Sequence, residues 1–355
     1  MNATPQKDAA DSAQLPLEFS ALLKRIISGE SLSSQEMYGL MQLIMQGQMG
    51  DTRMGALLTA LSIKGETSRE ISAAAQAMRD LMYPVAIAHP SAVDIVGTGG
   101  DGANLFNVST AASFVAAAAG VTVAKHGNRS VSSSSGSADL LESAGIFLGL
   151  NNEQVARCID EVGIGFMFAP NHHPAMRFAA PVRRDLGIKT LFNVLGPLTN
   201  PAGVHHQVIG VYDKRLVSVL AEAFQHLNSQ HALVVHSAEG LDELSIAGSS
   251  FIAELKAGDI HHYTITPESV GLQSAPLDSL KVNTTAESLQ RVMSALGNEA
   301  GPARDMVALN AGAAIYAADQ AVSLKEGVSQ ALSVMASGEA LKKLHQLAEF
   351  TQQFA

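Results

Sequence analysis

Ala92-Val-Asp-Ile-Val96 is a short apolar β-type run that stops at Gly97, and glycine then recurs through Gly97-Thr-Gly-Gly-Asp-Gly102. A helix-like stretch, Ser109 to Ala119, separates it from a second β-type run, Val121-Thr-Val-Ala124. Strand, covering helix and second strand in so short a span make a βαβ unit, because two parallel strands need a crossover of about that length. Outward from this unit, further strands are expected at Gly165 to Phe168, Gln207 to Val211, Ala232 to His236 and Phe251 to Leu255. Helical patterns fall near Ala138 to Ala144, Lys214 to Leu227, Ala286 to Leu296 and Asp305 to Ala318, and a last amphipathic run covers Leu324 to Phe350. Such alternation predicts an α/β fold with a mainly parallel central sheet covered by helices.

Towards the N-terminus the period changes. From Leu17 to about Met82 the apolar residues recur at helical spacing, with Phe19, Leu22, Leu23 and Ile26 on one face and Met41, Ile44 and Met45 on another. Ser34, Asp51 and Ser68 fit N-caps before such runs. The expected organisation is a loose tail over residues 1–14, a small helical domain over 15–85, completed by helices within about 172–200, and a larger α/β domain over 86–355.

Composition narrows the function classes. Of 355 residues, 47% are hydrophobic and 16% charged, which describes a chain able to bury a sizeable core. Twenty-three Lys+Arg against 33 Asp+Glu leave a formal charge of -10, so a nucleic-acid phosphate backbone is repelled and nucleic acid is not an expected partner. Cys158 is the one cysteine and sits in a helix-like run, which removes intrachain disulfides and thiolate clusters and leaves a core role. The first residues carry Asp8 and Asp11 and no apolar leader, and no long apolar span follows, so a soluble, cytoplasmic protein without a membrane partner is expected.

Four constellations carry chemistry. Gly97 to Gly102 follows a strand, and glycines there let backbone N–H groups wrap an anion. It also fits the G-x-G-x-x-G dinucleotide pattern, but that site wants an acidic residue at the second strand, and here that strand leads into Lys125. Asn107-Val-Ser-Thr110 opens the intervening helix, whose N-terminus favours an anion. The second constellation, Lys125 to Ala138, gathers Lys125, Arg129 and six serines between Ser130 and Ser137, suiting a diphosphate whose charge the two cations balance. Asp242-Glu243, just past a strand end, offers hard oxygen ligands for Mg²⁺. Arg183-Arg184, after Asn171-His-His-Pro-Ala-Met176, offers a fork for a carboxylate. The pairs His172-His173, His205-His206 and His261-His262 lack a zinc frame and read as structural or solvated.

In order and completeness these segments resemble the anthranilate phosphoribosyltransferase family, from about Leu17 to the end. The resemblance rests on Gly97-Thr-Gly-Gly-Asp-Gly102, Asn107-Val-Ser-Thr110, Lys125-His-Gly-Asn-Arg-Ser130, Gly136-Ser-Ala-Asp-Leu-Leu-Glu142, His172-His-Pro-Ala-Met176, Gly196-Pro-Leu-Thr-Asn-Pro201 and Leu241-Asp-Glu-Leu-Ser245. It implies a nucleoside phosphorylase/phosphoribosyltransferase-like fold, with residues 86–355 binding phosphoribosyl diphosphate (PRPP). It further implies transfer of the phosphoribosyl group to anthranilate in tryptophan biosynthesis, and a homodimer built through the helical domain. PRPP contacts are then expected at Gly97, Gly100 and Asp101, at Asn107, Val108, Ser109 and Thr110, and at Lys125, His126, Gly127, Asn128 and Arg129. The same set continues through Ser130, Val131, Ser132 and Ser133 to Ser137. Ser109, Asp242 and Glu243 would hold Mg²⁺, while Gly97, Asn128 and Arg183 would meet anthranilate. Lys125, Asp242 and Glu243 form the expected catalytic set. Leu105 and Ser134 depart from the family's commonest pattern and are left out.

A diphosphate leaving the anomeric carbon leaves an oxocarbenium-like sugar, so charge on the leaving group is what the site must stabilise. The rival readings are a pyrimidine nucleoside phosphorylase-like enzyme, whose family lacks the Asp-Glu pair, and a nucleic-acid-binding relative without transferase activity, against which the net charge argues.

Overall fold

Helices α1 (Phe19–Ile27), α2 (Ser34–Met45), α3 (Asp51–Lys64) and α4 (Ser68–Arg79) open the chain in this computed structural model. The structure describes residues 18–130 and 134–355, so the tail expected over 1–14 lies outside the described residues. The caps fall one residue earlier than their sequence expectation. Ser33 and Thr67 cap α2 and α4, because each sits three residues before a glutamate, Glu36 or Glu70, that reaches back to the cap's own amide. Gly50, not Asp51, holds the N-cap of α3.

The chain then enters the α/β half. Its order is β1 (Val93–Gly97), α5 (Val108–Ala118), β2 (Val123–Gly127), α6 (Ser137–Ser143), α7 (Asn152–Arg157) and β3 (Ile164–Phe168). Three short helices follow, α8 (Ala169–His172), α9 (Ala180–Leu186) and α10 (Phe192–Leu195). Next come β4 (His206–Gly210), α11 (Leu216–His226), β5 (His231–Ser237), β6 (Ser250–Lys256) and β7 (Asp259–Ile265). The chain closes on α12 (Thr285–Leu296), α13 (Pro302–Ala317), α14 (Leu324–Ser337) and α15 (Glu339–Gln352). The single helical run expected over Leu324 to Phe350 is two helices, broken at Gly338, whose φ of 79° lies in the left-handed region.

One sheet runs in the order β3-β2-β1-β4-β5-β6-β7. Strands β3 to β5 are parallel, and β6 and β7 add an antiparallel edge. β7 was not expected, because its residues Asp259, His261 and His262 are exposed on the sheet edge and give no apolar alternation. β2 runs further than Ala124, so Lys125 and His126 are strand residues rather than loop residues. Alternation along the strands divides the core. Leu233 and Val235 face a cluster with α5 and α13, whereas Ala232 and Val234 face a second cluster shared by α11 and α1 to α4. Val182, Leu191, Phe192 and Leu195, between β3 and β4, return to that second cluster and pack with the first four helices.

Candidate active site

β1 lies between β2 and β4, with α5 on one face of the sheet and α11 on the other. The chain leaves these neighbouring strands in opposite directions, so a crevice opens beyond their C-terminal ends. Gly97 and Gly210 stand opposite each other there. A Cβ on Gly97 would strike the Asp242 carboxylate, and one on Gly210 would strike the Asp242 main chain. Two glycines in register therefore let the segment after β5 lie across the mouth of the crevice.

The acidic pair is built into the backbone of both loops. Gly99 N donates to Asp242 Oδ2 at 2.6 Å, and Ser109 N, in the first turn of α5, donates to Glu243 Oε1 at 3.3 Å. Burial first, then repulsion from Asp101, raises the Asp242 carboxyl above its ordinary range. Burial, then Asp242 and Asp101, raises Glu243 as well. Carboxylates that crowd and desolvate one another in this way are the oxygen set that a hard divalent cation would relieve.

Lys125 comes up from β2 beneath them. Its ammonium donates to Ile95 O at 2.5 Å and reaches Ser109 Oγ at 3.5 Å, and burial lowers its pKa. Asp94, in the middle of β1, is the counter-charge that sequence reasoning passed over. It accepts from Asn200 Nδ2 at 2.7 Å and from His126 N at 3.2 Å, while burial raises it to about 6 despite Lys125. An acid inside the apolar run Ala92 to Val96 was the available signal. His126 and His173 pack with ring centroids 5.1 Å apart, and burial lowers His126 well below its ordinary value and His173 to about 4. Both are held neutral. Their Nε2 atoms and that of His172 are buried without a partner among the described residues, so His172 and His173 are not solvated.

Asn107 sits at the N-cap position of α5 without capping it. Its side chain donates to Ser135 O at 3.1 Å and accepts from Ser288 Oγ at 2.7 Å, tying the serine loop to α5 and α12. Thr110 Oγ1 donates to Ser137 Oγ at 3.2 Å. Arg129 turns towards α6, pairing with Glu142 at 2.5 Å and Asp139 at 3.0 Å, so its charge reaches a diphosphate only if those pairs open. Asn128 is exposed beside it, and Val131, Ser132 and Ser133 lie outside the described residues. Ser134 Oγ donates to Val282 O, and Leu105 bridges Lys281, so both loops are tied to the same short segment before α12.

On α9, beside Val182 of the helical cluster, Arg183 is half-buried, its guanidinium 5.3 Å from the Phe192 ring centroid. Burial lowers its pKa, and no carboxylate pairs with it among the described residues, whereas Arg184 is exposed. Elsewhere, ligand atoms of His206, His231 and Asp319 all lie within 4.8 Å of one another. Lys256 Nζ already sits 3.2 Å from Asp319 Oδ1, and His206 Nδ1 bonds Ala317 O at 2.8 Å, so this group is a polar staple beneath β4 and β5. Cys158 is buried, and its thiol is pushed up to about 12 by burial.

Both halves match known families. Residues 20–82 match the helical bundle domain, and residues 89–341 the a/b domain, of a glycosyl transferase family. The chain is 57% identical over 321 residues to the anthranilate phosphoribosyltransferase of Chromohalobacter salexigens, covering 90% of this chain and 93% of that protein. It is 54% identical to that of Pseudomonas fluorescens over 343 residues, 95% of this chain and 98% of the relative. The crystal structure of the Thermus thermophilus anthranilate phosphoribosyltransferase superposes with a TM-score of 0.88 at 47% identity, covering 93% and 99% of the two chains. The Saccharomyces cerevisiae enzyme, solved in complex with PRPP and Mg, gives 0.87 at 27% identity over 96% of this chain and 99% of that one. With likeness of this extent in sequence and in fold, the chain belongs to the anthranilate phosphoribosyltransferases.

Proposed function

We propose that the crevice over Gly97 and Gly210 is where PRPP and anthranilate react, giving N-(5-phosphoribosyl)anthranilate and diphosphate in the route to tryptophan. The carrying observation is the double clamp, Asp242 on the Gly99 amide and Glu243 on the Ser109 amide, which sets acidic oxygens against two anion-binding backbone elements.

The donor set fits Mg²⁺: Asp242 and Glu243, with the Ser109 hydroxyl close by, are hard ligands whose carboxyls burial and mutual repulsion have already raised. Bound there, the ion would offset charge on the diphosphate. Backbone amides of Gly97 to Asp101 and of Asn107 to Thr110 bind the leaving group, and Lys125 supplies a fixed positive charge beneath it. His126 to Ser130 and Ser137 contact the same anion, and the expected contacts at Val131, Ser132 and Ser133 belong to the same reading although those residues lie outside the described residues. Arg183 meets the acceptor's carboxylate and Asn128 orients its amine beside Gly97. An aromatic amine already carries a lone pair, so orientation outweighs a strong general base.

A homodimer formed through the helical domain is part of this reading, and Ile27 on α1 and Ile63 on α3, 70% and 82% exposed, are large apolar side chains which that domain leaves open to solvent. None of the described helices is long and apolar enough to cross a membrane. We place the enzyme in the cytoplasm, where its phosphorylated substrate is retained.

The test mixes the protein with PRPP, Mg²⁺ and anthranilate and follows the loss of anthranilate fluorescence, a signal left clean by the absence of tryptophan from the chain. Loss that requires both PRPP and Mg²⁺ supports the reading. No loss under any condition, with cleavage of a pyrimidine nucleoside by inorganic phosphate instead, would replace it.

A further inference from the structure

Lys189 lies between α9 and α10, on the helical side of the crevice, and has no part in the chemistry above. Its ammonium donates to the Gly100 carbonyl at 2.7 Å and sits 3.6 Å from the centroid of the Tyr212 ring. Its own carbonyl accepts from Ser62 Oγ of α3 at 3.1 Å. The residue is exposed, and no carboxylate pairs with it among the described residues. An exposed lysine surrenders side-chain rotamer freedom when it is held, so this tether is not the default state of a solvated side chain.

What it holds matters. Gly99 and Gly100 have φ of 68° and 78°, a conformation open to glycine and strained for other residues, and among the described residues no bond within the loop holds the peptide between Gly100 and Asp101. Asp242 fixes one of the loop's peptides by accepting from Gly99 N at 2.6 Å. Lys189 fixes the next but one, between Gly100 and Asp101, by holding its carbonyl. In a trans peptide the carbonyl and the following N–H point in opposite directions. The Asp101 N–H is therefore turned away from Lys189, and it has no acceptor among the described residues.

We propose that Lys189 is a positioning residue for PRPP: by holding the Gly100 carbonyl it aims the Asp101 amide at the diphosphate and ties the glycine loop to the helical domain. The proposal rests on the reading of that loop as the PRPP cradle.

Lys189→Met keeps the stem over Tyr212 and removes the donor. Loss of one charge-assisted hydrogen bond should raise KM for PRPP about tenfold. KM for anthranilate and kcat should stay within about twofold, and Tm within about 2 °C. Lys189→Arg should restore most of the PRPP affinity. Hydrogen–deuterium exchange over residues 97–102 of the ligand-free protein, which needs no turnover, should run several-fold faster in Lys189→Met. An unchanged exchange rate overturns the proposal, and so does an equal rise in both KM values, which marks a general structural role. If the wild type itself fails to use PRPP, the functional reading falls, while the exchange result still decides whether Lys189 holds the loop.

Discussion

Replacing Gly210 by alanine should separate the metal clamp from the rest of the fold. Gly210 ends β4 opposite Gly97, and an added Cβ would overlap the Asp242 carbonyl. That atom is main chain, so no rotamer change relieves the clash. To regain an ordinary contact of roughly 3.5 Å, the segment carrying Asp242 must retreat by about 2 Å. The bonds from Gly99 N and Ser109 N, at 2.6 Å and 3.3 Å, cannot both survive such a shift. A displacement of about 1 Å in a positioned group costs about 100-fold in rate, so kcat/KM should fall at least ~100-fold. Overpacking should cost about 1–3 kcal/mol, which is only several degrees in Tm. Gly240→Ala is the control: it lies in the same turn, its Cβ meets open space, and it bears only the strain of a φ of 90°, worth about 1 kcal/mol. The assay is anthranilate fluorescence across a Mg²⁺ series, paired with thermal unfolding. Gly210→Ala with turnover within about threefold of wild type, or Gly240→Ala as the more damaged protein, would refute the reasoning.

Two further outcomes are expected. Arg183→Ala removes a half-buried, unpaired guanidinium, so KM for anthranilate should rise about 100-fold at two charge-assisted bonds lost, with KM for PRPP nearly unmoved; steady-state kinetics in both substrates decides, and the reverse pattern removes Arg183 from the acceptor role. The raised Asp242 and Glu243 carboxyls make protons compete with the cation near neutrality, because both must be ionised to bind it. Going from about pH 8 to about pH 6 should therefore increase the Mg²⁺ needed for half-maximal rate. Ordinary carboxylates, with pKa near 4, would leave that requirement flat over the same range, and a flat profile contradicts the crowding described here.

The sheet was legible wherever both faces of a strand are buried, because Ala232 to Val235 and Val208 to Val211 read as near-continuous apolar runs. The end of β2 was not. Lys125 and His126 break the apolar pattern at the point where the strand enters the site, so the residues that make the strand functional also disguise it. The caps of α2 and α4 fall one residue earlier because Ser or Thr occurs at adjacent positions there, and only the backward bond from Glu36 or Glu70 chooses between them. The glycine loop and the acidic pair, which the fold joins at Gly99 and Asp242, could be picked out from residue type and order, and Arg183 could be picked out as a candidate in the same way. Asp94 was partly visible as an acid in an apolar strand. Lys189 was not visible at all, since its partners, Gly100 and Tyr212, lie far from it in sequence and a lone lysine carries no pattern.

The central claim is that PRPP enters this crevice as an anion neutralised through Asp242 and Glu243. Titration calorimetry of PRPP into the wild type and into Asp242→Asn/Glu243→Gln, each with and without Mg²⁺, tests it directly. The expected result is tight association in the wild type that depends on Mg²⁺ and is weakened at least about 50-fold in the double variant, as the cation loses its anionic ligands. Equal Mg²⁺-dependent binding by both proteins, or no binding of PRPP by the wild type with the ion present, would contradict it.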